Sequence, residues 1–187
     1  MQLVWPCREF LPAYVDALQR DWSPDNLRGA AAARDELDQI QRDADVYLAL
    51  QVDRDARGGD VTLPDGSKAP RLPGYRRWIW DGEFCGLIGF RWQPGTTALP
   101  PHVLGHIGYA VVAWKRNRGL ATDALKLQLA DCRAEGLEFV ELTTDFDNLA
   151  SQKVITANGG VVVEAFRKSP AYGGAQSLRY RILLGAP

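Results

Sequence analysis

Apolar positions recur along this chain at two spacings, and the switches between them mark its elements. Residues 2–6 read as a short strand, and Leu11, Tyr14, Val15 and Leu18 then fall at helical spacing within residues 9–22. Trp22-Ser23-Pro24-Asp25 breaks that helix, because proline cannot continue one and Ser and Asp favour turns and caps. A second helix is predicted over residues 27–42, with Leu37 and Ile40 on one face. Residues 53–74 are dense in Gly and Pro, and read as a long loop or as a loop carrying one small hairpin at Pro64-Asp65-Gly66. Residues 75–80 and 84–92 are aromatic and β-branched runs joined by Asp81-Gly82, a hairpin signal.

From there strands and helices alternate. The pattern predicts a strand at 106–114, a helix at 119–135 closed by Gly136, and a strand at 137–145. A short helix at 148–157 closed by Asn158-Gly159-Gly160 and strands at 161–167 and 177–184 complete it. Strand–helix–strand–helix–strand–strand implies one α/β domain over residues 1–187, with a mixed, mostly antiparallel sheet flanked by helices.

Composition narrows the function classes. A net charge of −1 gives no surface field to attract nucleic acid or an anionic membrane. No apolar run reaches the roughly 18–20 residues of a membrane helix, and the N-terminus lacks the basic and apolar regions of a secretion signal, so a cytoplasmic location is expected. Cys7, Cys85 and Cys132 are scattered, without metal-ligand or disulfide-framework spacing, which fits a reducing compartment.

Candidate chemistry concentrates in Lys115-Arg116-Asn117-Arg118-Gly119-Leu120-Ala121-Thr122. Cations at Lys115, Arg116 and Arg118 stand just before a helix, whose N-terminus already carries about half a positive charge. That placement costs ~0.3–1 kcal/mol per cation unless an anion occupies the turn. With Gly119 allowing close backbone approach, the stretch reads as a phosphate cradle, or alternatively as a solvated basic loop. The P-loop string GxxxxGK[ST] is absent. In the preceding strand, Ile107, Tyr109 and Val111 share one face, and His106, Gly108, Ala110 and Val112 the other. Gly108 and Ala110 leave the second face nearly bare, for a ligand or for a tightly packed helix.

The runs HIGYAVVAWKRNRGLATDAL and LEFVELTTDFDNLASQKVITANGG resemble the acyl-CoA-binding core of the GNAT superfamily of N-acetyltransferases. Arg116–Ala121 is similar to the family's pyrophosphate-binding Arg/Gln-x-x-Gly-x-Gly/Ala, with Asn117 and Thr122 at the same turn. Asn148 and Ser151 resemble its Asn-x-x-Ser/Ala beside the pantetheine arm, in the form found in the ribosomal-protein N-terminal acetyltransferase branch. The resemblance implies acetyl-CoA as co-substrate, no metal, and direct attack by an amine on the thioester in a ternary complex. Pantetheine would then pair with backbone near Val111, Val112 and Ala113, where the strands carrying Val112 and Thr143 splay, leaving an N–H near Val112 as oxyanion donor.

Catalytic groups are less plain. Many relatives place a Tyr general acid where this chain has Ile155, so Ser151 is the next candidate, against its reading as a first-turn capping hydroxyl. His106 is a candidate base, against a structural role, and Asp145 and Asp147 are candidate relays, against helix capping. His102 and His106 are four apart in a non-helical stretch with no third ligand, so a metal is rejected. Trp22, Asp25 and Tyr172 are candidate acceptor contacts, in the loop after the first helix and in residues 168–174. The expected partners are acetyl-CoA and an amine acceptor, with no nucleic acid or membrane and a homodimer left open. A non-catalytic acyl-CoA-binding module is the rival reading.

Overall fold

The computed structural model describes residues 1–63 and 65–185. Its core is the antiparallel hairpin β5 (Gly74–Trp80) and β6 (Phe84–Arg91), flanked by β1 (Gln2–Val4) and β2 (Val52–Asp53) on one side and β7 (Ile107–Val111) on the other. A second sheet has the order β8 (Phe139–Asp145), β10 (Gln176–Leu183), β9 (Val161–Arg167). Among the described residues every ladder is antiparallel, and the two sheets come together where β7 begins, at the His106–Glu141 main-chain bond. The expected α/β domain is present with its sheet split in two. In the Gly/Pro-rich stretch, β3 (Val61–Thr62) and β4 (Lys68–Ala69) form the small hairpin; Pro64 of its expected turn lies outside the described residues.

The alternation of β5–β7 sends side chains to two cores. One face packs Ile79, Ile88 and Phe90 against Leu125 and Leu129 of α4 (Leu120–Ala134), continuous with Val140 and Leu142 of β8 and Ile155 of α5 (Leu149–Ala157). The other packs Trp78, Phe84, Leu87 and Val112 against Tyr14 and Leu18 of α1 (Leu11–Gln19) and Ala33 of α2 (Ala30–Arg42). Trp22 is buried in that second core at 5% exposure, edge-on to Tyr14 and Phe84, so it is a packing residue rather than an acceptor contact.

A short helix that periodicity did not predict, α3 (Ala44–Ala49), follows α2 directly. Asp43 closes one helix and caps the next, accepting from the Asp45 and Val46 N–H groups at 3.0 Å. The helices are then tied to the sheet by Glu36 of α2. Its carboxylate accepts from Tyr14 and Tyr47 hydroxyls and, at 2.7 Å, from the Arg76 guanidinium of β5. Burial beside that negative charge raises both tyrosine pKa values, so both stay protonated donors.

Candidate active site

Two devices fasten the start of β7 to β8. Gly105 lies so close to β8 that a Cβ there would sit 2.9 Å from the Glu141 carbonyl. Next to it, the His106 N–H donates to the Glu141 carbonyl at 2.7 Å, and the His106 Nδ1 accepts the Glu141 N–H at 2.9 Å. With Nδ1 an acceptor, Nε2 carries the proton and donates to the Thr97 carbonyl at 3.1 Å. His106 is wholly buried, and burial pushes its pKa down to about 4. The base role expected for His106 is therefore corrected: both nitrogens are committed, and the ring pins the seam between the sheets.

Beyond that pin the edge of β7 is free. The β6–β7 register pairs Gly86 with Val111 and Phe90 with Ile107, and the Val112 N–H donates to the Cys85 carbonyl at 2.9 Å. Antiparallel alternation therefore directs the main chain of Gly108, Ala110 and Val112 to β6, and that of Tyr109 and Val111 to the open edge. This corrects the expectation at Val112: its N–H is taken, and the free amides are those of Tyr109 and Val111. Ala113 is likewise no strand partner, because it opens a 3-10 turn over Ala113–Lys115.

The turn after it has the expected shape for a different electrostatic reason. Asn117 and Gly119 are both left-handed, at φ 60° and 76°, and a Cβ on Gly119 would meet no atom of the protein within 4 Å. No side chain caps α4, so the amides of Leu120, Ala121 and Thr122 have no side-chain acceptor. The cations are not orphaned, however. Lys115 is buried, with Nζ 2.6 Å from Asp81 and 2.9 Å from Glu83, and Arg118 lies 3.4 Å from Asp81. The Lys115 hydrogen bond holds the Asp81 carboxyl down at about 2. Lys115 thus braces the turn against the β5–β6 hairpin, and Arg116 is left, its Nε donating to the Val111 carbonyl at 3.3 Å.

On α5 the roles of the Asn-x-x-Ser pair separate. Asn148 Oδ1 accepts the Ser151 N–H at 3.1 Å, so Asn148 is the cap. The Ser151 hydroxyl instead meets the Tyr109 hydroxyl at 2.8 Å. Burial raises the Tyr109 pKa to about 12, with the Ser151 hydrogen bond opposing the shift, so the phenol is protonated at neutral pH. Sequence reasoning missed Tyr109; its place on the Ile107–Val111 face was visible, but its partner lies 42 residues away. Ile155 is 1% exposed and is core. Asp145 is held by Lys168 and by Ser177 Oγ at 2.9 Å, which lower its pKa against the opposing effect of burial; that occupancy corrects the relay reading. Asp147 is exposed and its carboxylate neither caps the helix nor reaches the groove.

Arg116, Asn117, Arg118, Gly119, Leu120, Ala121 and Thr122 line one cleft of about 1720 Å³ together with Val111, Tyr109, Asn148 and Ser151; Val112 and Ala113 do not line it. The same cleft continues over the α1–α2 face of the sheet, past Gly89, Gly108, Arg76 and Arg91 to Asp25 and Tyr172. Asp25 also shapes its loop, accepting the Leu27 and Arg28 N–H groups, and Tyr172 donates to the His102 carbonyl at 2.5 Å. The one atom a Cβ on Gly108 would meet within 4 Å is Nη2 of Arg91, so no helix packs on the bare face there. Among the described residues no helix is long and apolar enough to cross a membrane.

Comparison with known proteins agrees with this layout. The microcin C7 self-immunity acetyltransferase MccE, solved with acetyl-CoA and AMP, superposes with TM-score 0.60 at 11% identity, over 97% of this chain and 91% of that one. RimL, the ribosomal L7/L12 α-N-protein acetyltransferase solved with coenzyme A, gives TM-score 0.62 at 14% identity, over 99% and 94%. An acetyltransferase of Salmonella typhimurium that modifies the N-terminal serine of L7/L12 gives 0.62 at 14%, over 97% and 93%. No curated protein sequence matches the chain. The profile of the acetyltransferase (GNAT) domain matches residues 36–161, which contain the second half of α2, the whole of β5 to β8, the turn at Arg116–Gly119 and α5. The chain belongs to the GNAT acetyltransferase family.

Proposed function

We propose that this protein is an acetyl-CoA-dependent N-acetyltransferase that delivers the acetyl group to a primary amine by direct attack. One observation carries the reading. The unladdered edge of β7 at Tyr109 and Val111 runs into the uncapped amides of α4, giving a single groove of unpaired main-chain donors. Diphosphate suits the α4 end, where amides and helix dipole favour anions. The pantetheine arm then lies along β7, between that strand and α5.

The Val111 N–H is the oxyanion donor in this arrangement, a group typically worth ~2.7–4 kcal/mol of barrier. Tyr109, oriented by Ser151, presents its O–H toward the departing sulfur, the task left open by Ile155. The acceptor enters from the α1–α2 face, and holding both reactants together accounts for ~7–11 kcal/mol of barrier. Cys7, Cys85 and Cys132 are all free thiols, in keeping with a reducing cytoplasmic setting.

Titration calorimetry with acetyl-CoA and a thiol-release assay across primary amines test this. Binding with amine-dependent thiol release is expected. Binding without release for any amine marks a non-catalytic acyl-CoA-binding module, and absence of binding overturns both readings.

A further inference from the structure

The acceptor half of the cleft has a floor without side chains and one cation without a counter-charge. Gly89 of β6 sits opposite Gly108 of β7, and Ala110 continues the same face. Two arginines flank that floor. Arg76 is answered by Glu36 at 2.7 Å. Arg91 is not: among the described residues no carboxylate lies within ion-pair distance of it, and its guanidinium makes no hydrogen bond.

Arg91 keeps contact with solvent while its guanidinium reaches over the floor, its Nη2 3.6 Å from where a Gly108 Cβ would be. The charged and titratable groups that act on it from within the cleft are Arg76, whose like charge opposes its own, and Tyr172, which favours it. A cation held in a concavity beside a second cation is an incomplete arrangement, and a planar guanidinium matches carboxylate and phosphate oxygens in a bidentate fork. Gly108 is two residues from Ala110 and three from Val111, which is roughly 7–10 Å along a strand.

We infer that the acceptor is an amine that also carries an anionic group, a carboxylate or a phosphate, bound by Arg91 over the Gly89–Gly108 floor at roughly 7–10 Å from the carbonyl being transferred. This rests on the transferase reading and specifies its second substrate. Arg91 acts as a specificity residue that leaves the carrier groove untouched, since it lies on the other face of the sheet from Tyr109 and Ser151.

The test compares ω-amino carboxylates and aminoalkyl phosphates with the amino alcohols and diamines of equal chain length. Thiol release is measured for wild type, Arg91→Gln and Arg91→Lys. Anionic acceptors should exceed their neutral partners at least tenfold in kcat/KM, mainly through KM. Arg91→Gln should erase that preference and Arg91→Lys restore part of it, with acetyl-CoA affinity unchanged in both. The better of the carboxylate and phosphate series identifies the anion. Equal or better use of diamines, unaffected by Arg91→Gln, overturns the inference and leaves the transferase standing. If no amine releases thiol the transferase reading fails, and calorimetry with an aminoalkyl phosphate and an ω-amino carboxylate then decides the pocket: binding lost in Arg91→Gln supports it, and equal or no binding refutes it.

Discussion

Replacing His106 by Gln removes a titrating ring from the seam between the two sheets while keeping an acceptor for the Glu141 N–H and a donor for the Thr97 carbonyl. In wild type the ring is wholly buried with a pKa near 4, whereas the unfolded chain titrates at 6.5. Between those values the unfolded state binds a proton that the folded state does not. Stability therefore rises with pH through the window and is fully present above about 6.5, and it is lost as pH falls toward 4. Between a pKa of 6.5 and one of about 4, at ~1.4 kcal/mol per pH unit, the effect is at most about 3.5 kcal/mol. Carboxylates that titrate in the same range contribute equally to both proteins and cancel in the difference. Urea unfolding of wild type and His106→Gln at intervals from pH 7.5 to 4 should show the variant gaining on wild type by up to ~1.4 kcal/mol per pH unit. Parallel stability curves across the window would refute the assignment of His106 as a buried neutral strap.

Five other substitutions separate chemistry from architecture. Tyr109→Phe should lower turnover by ~10²-fold with acetyl-CoA affinity nearly unchanged, and Ser151→Ala should act in the same direction less strongly; unaltered turnover in both removes the acid role. Lys115→Ala removes the buried ammonium that ties Asp81 to the turn, leaving Asp81 only Arg118, and should cost ~1.5–3 kcal/mol in urea unfolding. Arg116→Glu, by contrast, should leave stability nearly intact and weaken acetyl-CoA binding about tenfold, or ~1.4 kcal/mol by calorimetry. Gly86→Ala should lower Tm by roughly 6–12 °C, because φ is +148° there and the new Cβ would fall 2.1 Å from the Ala110 carbonyl.

What the sequence disclosed and what it concealed differ by range. The β5–β6 hairpin, the turn at Gly119 and α4 were legible because periodicity and glycine act within a few residues. The hairpin joint still needed three residues and a register shift between Ile79 and Trp80, where Asp81-Gly82 suggested two. The meaning of Lys115 was not legible, since its partners Asp81 and Glu83 lie more than thirty positions earlier and meet it only once β6 and β7 are paired. The same applies to the node at Glu36, whose three donors come from three other elements. His106 looked like a base because it is one of two histidines; only tertiary packing revealed a ring with no access to the cleft.

Strand β7 offers its edge and its face to different customers. The edge works through main-chain atoms that every residue except proline possesses, so amino-acid replacement along the strand cannot readily delete them. The face works through what its side chains omit or extend, and single replacements remodel it at once. If the edge holds the carrier and the face the recipient, as proposed, a replacement such as Gly108→Ala would change the choice of recipient and leave the grip on the carrier in place.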